Sequence, residues 1–381
     1  MIHKISEVIR NRFPKEERIF LHEPKFFGNE KKYVLDAIDS TFVSSIGVYV
    51  DRFESELARF TNTSKATAVV NGTAAIQVAL RLAGIQKEEE VLTQALTFIA
   101  TSNAITYNQA TPVFLDVDRD TMGMSPQALE DFLDNFGDLR EDGCFNKSTG
   151  KRIGACLPMH TFGFMCRIDE IVTICDKWHI PVIEDAAESL GSSYKGKSAG
   201  SYGLAGVFSF NGNKIITSGG GGAIVSKDST IARRAKHLTT TAKIPHVWAY
   251  EHDELGYNYR MPNLNAALIC AQLEQLPTLK ESKKKLYEEY DSHFRGSGVQ
   301  LKAIPKDTDW NYWLISLEME DRKERDEFLE HTNARGIMTR PIWQLMYRLP
   351  MYEHCQRDSM KNAEYLEERI VNIPSSARIE L

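Results

Sequence analysis

Between residues 66 and 226, short β-branched runs alternate with amphipathic helical stretches, and this alternation constrains the chain more than any other feature. The runs ATAVV (66–70), EVLTQ (90–94), TPVFLDV (111–117), IGACLPMH (153–160), IPVIED (180–185), VFSF (207–210) and AIVS (223–226) read as buried strands. Between them, AAIQVALRLAGI, SPQALEDFLDNF and IDEIVTICDKWH repeat apolar residues at i, i+3, i+4 and i+7, the period of a helix with one buried face. Strands separated by helices return through right-handed crossovers, so the pattern predicts an α/β fold: a mostly parallel central sheet between helices. The polar, turn-rich segment 139–152 reads as a surface excursion. Past residue 245 the texture changes to long helices (AALICAQLEQL, ESKKKLYEEYDSHF), a strand (NYWLISLEM) and another helix (RKERDEFLEHTNARG). A chain of 381 residues exceeds one comfortable core, and the predicted division is a large α/β domain over 1–245 and a smaller α+β domain over 246–381.

Charge and cysteine usage exclude several classes. Forty-six Lys and Arg against 52 Asp and Glu give a net charge of -6 with no basic block, which argues against nucleic-acid binding and still allows a small basic pocket for a phosphate. The six cysteines contain no CxxC pair and match no zinc spacing, so no metal is expected and the thiols read as free in a reducing cytosol. The N-terminus lacks the continuous apolar stretch of a signal peptide, and no window approaches a membrane span; the expectation is a cytoplasmic protein. Gly191–Ser198 reads GSSYKGKS, a literal P-loop match, but the mechanism needs a strand before it and a helix after it, and AGSYGLAG follows instead. The glycines 219–222 lack the spacing of a dinucleotide fingerprint and read as flexible backbone leading into a strand.

Four separated pieces remain. In VVNGTAAIQVAL a strand stops at Val70 and Asn71-Gly72-Thr73 opens a helix, whose first N–H groups and positive dipole end can hold a phosphate or merely be capped. In VIEDAAESLG, Asp185 ends an apolar strand, where open α/β sheets place ligands; the same position also suits a helix N-cap. In FSFNGNKIITSGGGG, Lys214 follows an apolar strand, with Ser209 five residues earlier; a solvated surface lysine is the plainer alternative. In QALTFIATSNAI, Phe98 begins a helix and either stacks on a ring or packs in the core. A lysine for a Schiff base, a carboxylate for a ring nitrogen, a stacking aromatic and a phosphate cradle together fit pyridoxal 5′-phosphate.

These pieces, in this order, resemble the DegT/DnrJ/EryC1/StrS family of fold-type I, pyridoxal-phosphate-dependent sugar aminotransferases. The likeness spans nearly the whole chain, through NGTAAI, LTFIATSNAI, PMHTFGF, IEDAAESLG, FSFNGNKIITSGGGG and LGYNYRMPNLNAAL. It implies Lys214 as the Schiff-base lysine, Asp185 as partner of the ring nitrogen, Phe98 as the stacking aromatic and Glu188 near the ring hydroxyl. It further implies Gly72, Thr73 and Ser209 at the phosphate, with Asn258 reaching it from a second subunit, so that a homodimer shares its sites. His160 and Tyr347 are implied near the substrate; His160 suits a structural hydrogen bond equally, and Tyr347 stands where the family often has histidine. Some relatives replace the lysine with histidine and act as dehydratases, so Lys214 favours transamination, and an intact Lys214 with Asp185 argues against a non-catalytic regulatory member.

The implied reaction takes an amino group from L-glutamate, holds it as pyridoxamine phosphate and delivers it to a nucleotide-linked keto sugar. Loss of Asp185 should cost far more than loss of Phe98. HEPKFFGNE, EDAAESLGS and ARGIMTRPIWQLM look like the branch that aminates C4 of UDP-linked 2-acetamido-2,6-dideoxy-4-hexuloses, on routes to bacillosamine- or legionaminic-type sugars of bacterial surface glycans. GDP- or dTDP-linked 4-keto or 3-keto 6-deoxy sugars remain open, because surface loops hold the nucleotide.

Overall fold

All seven expected strands form. In the computed structural model, which describes residues 1–379, they are β1 (Lys65–Val69), β2 (Glu90–Gln94), β3 (Thr111–Leu115), β4 (Ile153–Leu157), β5 (Ile183–Asp185), β6 (Ala205–Ser209) and β7 (Gly222–Ser226). Hydrogen bonding orders them β3-β2-β4 and β5-β6-β7-β1. Parallel bridges from Cys156 to Val182 and from Met159 to Asp185 join the two groups into one row. β2 is parallel to β3 and β4, and β5 to β6, as crossover helices require. β7 departs from the pattern and runs antiparallel to both β6 and β1. No helix separates β6 from β7; the chain turns back at the same end of the sheet, placing Ser209 and Val69 opposite Gly222 on either side. The carboxyl ends of β1, β5 and β6 and the 210–221 loop therefore meet at one edge, the usual ligand position in an open α/β sheet.

Local chemistry sets the helices that follow these strands. Gly72–Leu82 starts where the Asn71 side chain accepts the Ala74 N–H at 2.8 Å, and its Ala- and Val-rich face is buried. Pro126–Phe136 starts with the Ser125 side chain accepting from the Ala128 N–H and proline in its first turn. The excursion at 139–152 is more ordered than its composition suggests: Gly137–Arg140 and Gly143–Asn146 pair as a hairpin. GSSYKGKS is also a hairpin, Ser193–Tyr194 against Lys197–Ser198, turning through Lys195 and Gly196 at positive φ. No helix follows it, so the P-loop geometry is absent.

The two long helices anticipated after residue 245 are one, Asn263–Phe294, continuous through Pro277. A proline inside a helix costs about 3 kcal/mol. Here a stripe from Ile269 through Leu273, Leu276, Leu279 and Leu286 to Tyr290 is buried on both sides of it, and that burial outweighs the cost. This helix packs on Glu30–Asp39 and Val48–Thr61, and the N-terminal helix Ile2–Arg12 packs on it and on Arg322–Ala334. A second, antiparallel sheet has the order β8-β9-β11-β10, formed by β8 (Gln300–Leu301), β9 (Ile315–Glu318), β10 (Arg340–Pro341) and β11 (Ile370–Ile373). Arg340, Pro341 and Asn372 of this sheet come together with Asp185, Ser209 and Lys214 at the carboxyl edge of the main sheet. Among the described residues no helix is long and apolar enough to cross a membrane. All six cysteines are free and buried.

Candidate active site

A cavity of about 650 Å³ opens at that edge, lined among others by Gly72, Thr73, Phe98, Asp185, Glu188, Ser209 and Lys214. Seven of the ten residues singled out from the sequence thus share one space, although they come from four separate segments.

Asp185 ends β5 with its side chain buried. Its Oδ2 accepts from the Thr101 hydroxyl at 2.7 Å and its Oδ1 from the Ala187 N–H at 3.2 Å. Among the described residues no cation lies within ion-pair distance of it, and burial pushes its carboxyl above the usual range, against the pull of those bonds and of more distant Lys214 and His160. A buried carboxylate aimed into a cavity without its cation is the environment a protonated ring nitrogen completes.

Glu188 and Lys214 face one another across the same space, Lys214 Nζ donating to Glu188 Oε1 at 3.2 Å. The other Glu188 oxygen accepts the Phe162 N–H at 2.8 Å. Burial raises the Glu188 carboxyl and the lysine charge opposes the rise. Lys214 sits in a loop pinned at both ends, since the Phe210 N–H bonds to Gly221 O and Ser218 N–H to Phe210 O. The Asn265 side chain donates to the Ser218 and Gly220 carbonyls, so the glycine run is held rather than loose.

The cradle opposite is built from close approach. A Cβ on Gly72 would lie 2.9 Å from Ser209 Cβ, and one on Gly222 would lie 2.5 Å from the Asn71 carbonyl. The first-turn N–H groups of the Gly72–Leu82 helix, with the Thr73 and Ser209 hydroxyls beside them, supply the donors a phosphate needs. Gly72→Ala forces Ser209 aside, and we expect it to weaken pyridoxal-phosphate affinity by about tenfold or more without unfolding the chain. Equilibrium dialysis with the melting temperature as control measures this.

Three of the ten residues lie elsewhere. His160 is fully buried; its Nδ1 accepts the Cys166 N–H at 3.3 Å and its Nε2 lies 3.1 Å from Glu184 Oε2. Since Nδ1 is an acceptor, the proton sits on Nε2 and points at Glu184, whose oxygens also accept from the Gly200, Tyr202 and Gly203 N–H groups. Both ring nitrogens have partners within the protein, which fits the structural hydrogen bond, and His160 does not line the cavity. Tyr347 donates its hydroxyl to Glu364 at 2.6 Å, packs against Arg357 and does not line the cavity. The Asn258 side chain is exposed and accepts from Arg260 Nε at 3.0 Å, outside this chain's own cavity.

Four further lining residues were not singled out in the sequence, although two of them, Arg340 and Trp343, lie in the stretch RPIWQLMYRLPMY (340–352) that resembles the family's sugar-facing segment. Thr101 stands three residues past Phe98 in LTFIATSNAI. Trp313 and Trp343 wall the cavity, and Trp343 lies 4.9 Å from Phe162 and 6.2 Å from Phe98 between ring centroids. Arg340 is the second cation of the lining after Lys214; its Nη1 donates to Asn333 Oδ1 and Thr339 O, both neutral.

Residues 26–381 match the DegT/DnrJ/EryC1/StrS aminotransferase family. The chain is 36% identical over 368 residues to EpsN of Bacillus subtilis, covering 95% of this chain and 92% of that protein. It is 37% identical over 356 residues to GDP-perosamine synthase of Escherichia coli, covering 93% and 92%. Among solved structures, the Helicobacter pylori aminotransferase PseC superposes with a TM-score of 0.86 at 24% identity, covering 96% of this chain and 95% of that one, which shows the shared fold. The chain belongs to the DegT/DnrJ/EryC1/StrS aminotransferase family. It is a sugar aminotransferase, and its cofactor is pyridoxal 5′-phosphate.

Proposed function

We propose that the enzyme transfers an amino group from L-glutamate to C4 of a nucleotide-linked 4-keto-6-deoxy sugar, first UDP-2-acetamido-2,6-dideoxy-hexos-4-ulose, for a bacterial surface glycan. The observation that carries this is the single cavity in which Lys214, Asp185, Glu188 and the Gly72–Ser209 cradle converge beneath a wall of Phe98, Ile342 and Trp343. When bound, pyridoxal phosphate supplies the carbonyl that takes up the amine and the electron sink that stabilises the deprotonated carbon.

The chain's own residues do the rest. Asp185, ordered by Thr101 and Ala187, supplies the negative charge for a protonated ring nitrogen. Lys214 Nζ would be the base that takes the substrate proton and the acid that returns it, with Glu188 holding Nζ in place. Gly72, Thr73 and Ser209 would hold the phosphate, and Phe98 would pack against the ring. Arg340, bonded to neutral acceptors, keeps an uncompensated charge at the cavity for an anionic substrate group. The apolar wall suits a methyl group at C6 better than a hydroxymethyl, whose hydroxyl would lose its water there.

A GDP-linked 4-keto-6-deoxy acceptor is the second reading, favoured by the 37% identity to a GDP-perosamine synthase. Incubating the enzyme and glutamate with UDP-, GDP- and dTDP-linked keto sugars and weighing the amino product decides between them. Turnover of the UDP-N-acetyl sugar alone supports the first, and turnover of the GDP sugar alone replaces it with the second.

We also place Asn258 at the phosphate of a second subunit. It is exposed and does not line its own cavity, while Val247, Trp248, Tyr250 and Leu255 leave apolar surface uncovered in the residues before it. Mixed and refolded together, Lys214→Ala and Asn258→Ala subunits should then regain roughly a quarter of wild-type activity, because half the dimers carry one intact site. Activity no higher than that of the Asn258→Ala enzyme alone removes the shared site. Buried free thiols suit a reducing compartment, and we assign the reaction to the cytoplasm on that ground.

A further inference from the structure

The Lys214–Glu188 pair is flanked by a two-residue device from the opposite end of the chain. Trp313, buried just before β9, places its ring face 4.2 Å from Lys214 Nζ. Its indole N–H donates at 2.8 Å to the carbonyl of Asn213, the residue immediately before the lysine. Asn311, fully buried, donates through Nδ2 to the carbonyls of Glu188 at 2.8 Å and Leu190 at 2.9 Å. Its Oδ1 accepts the backbone N–H of Trp313 at 3.0 Å, so the Asn311 side chain is tied to the backbone that carries the indole and the two residues form one linked unit. One arm of that unit fixes the backbone carbonyl of Glu188 and the other fixes that of Asn213, in the peptide that precedes Lys214. Between them the indole face lies against the amine. Tyr312, which separates the two, has a positive φ of 58°, which turns the backbone between the Asn311 and Trp313 arms.

We propose that Trp313 is a positioning residue for the reacting amine, holding Lys214 by its ring face and by its N–H, with Asn311 locking the Glu188 side of the same pair. The proposal rests on Lys214 being the amine that captures the cofactor and later moves the proton. A four-carbon side chain released from a covalent bond has many rotamers, and an aromatic face favours the one that keeps its ammonium over the ring. Aliphatic replacement frees that motion, whereas phenylalanine preserves the face and loses only the hydrogen bond to Asn213.

The test compares Trp313→Leu and Trp313→Phe in two readouts. The first is steady-state turnover with glutamate and the accepted keto sugar. The second needs no turnover: cofactor-free protein is exposed to pyridoxal phosphate, quenched with borohydride at intervals, and the label on residue 214 is followed by mass spectrometry. For Trp313→Leu we expect kcat to fall about 30-fold with KM for both substrates within about threefold, and labelling of Lys214 to slow about tenfold. Trp313→Phe should recover most of both losses. The inference is overturned if Trp313→Leu stays within about twofold of wild type in both readouts, or if Trp313→Phe is as impaired as Trp313→Leu. Should the leucine variant fail to fold, Trp313→Phe and Trp313→Tyr carry the test, and labelling slowed by more than about tenfold in both overturns the role of the ring face. Label on a residue other than 214 in the wild-type protein is a distinct failure, of the reading on which the proposal rests.

Discussion

Lys214→Ala is expected to lower kcat by about four orders of magnitude, the largest effect of any single change in the chain. Two functions are lost together: the amine that captures the cofactor, and the group that moves the substrate proton at Nζ. The fold should survive, because Lys214 contributes one ion pair at the cavity wall, while its loop is held by the Phe210–Gly221 and Ser218–Phe210 backbone bonds and by Asn265. Glu188 is left buried without its cation, so the variant should melt somewhat lower than wild type. The purified variant should take no borohydride-fixed label at position 214 and should recover only partly with added small amines. Turnover within about tenfold of wild type would falsify the assignment of the reacting amine.

Asp185→Asn comes second, with kcat expected to fall about a thousandfold while the cofactor-free protein melts at or above wild type. The opposite signs follow from the same burial. In the cofactor-free chain, burial raises the Asp185 carboxyl above its unfolded value, so the folded state holds the proton more tightly. Stability from this group is then fully present below the ordinary carboxyl range and declines as pH rises through the raised value. Once ionised, the wild-type carboxylate is a buried charge without a cation, and a neutral amide removes that cost. The amide oxygen can still accept from the Ala187 N–H, and the Thr101 hydroxyl can rotate to accept from the amide nitrogen. Cofactor binding reverses the balance, since a protonated ring nitrogen stabilises the carboxylate and not the amide. Pyridoxal phosphate should therefore raise the melting temperature of wild type more than that of Asp185→Asn, and an equal rise in both would show that the carboxylate does not face the ring.

These residues were legible in the sequence for a definite reason. Asp185, Glu188, Ser209 and Lys214 lie within thirty positions of one another, each beside a strand end whose apolar run marks it. What the chain places near the end of β5 and around the turn into β7 can be read locally. The opposite wall cannot. Thr101 meets Asp185 across 84 residues of sequence and Trp313 meets Asn213 across 100, and no local period joins such partners. NYWLISLEM shows a strand but not that its tryptophan leans on the lysine loop. The antiparallel β7 was hidden for a related reason: GGGGAIVS has the composition of a strand in either direction, and only the missing crossover helix betrays its sense. His160, implied near the substrate by the resemblance and equally suited to a structural hydrogen bond, has such bonds in the fold, to Glu184 and from the Cys166 N–H, and only a contact across separate segments reveals them.

The turn from β6 into β7 has a mechanical consequence. Its two ends sit on one rung of the sheet, Ser209 opposite Gly222, so the segment bearing Lys214 is a closed ring of backbone with a fixed circumference. Tugging on distant helices cannot stretch such a ring or slide it along the strands. The amine can swing on its own side-chain bonds, yet its Cα is surveyed in place, like a needle whose pivot is set into the frame.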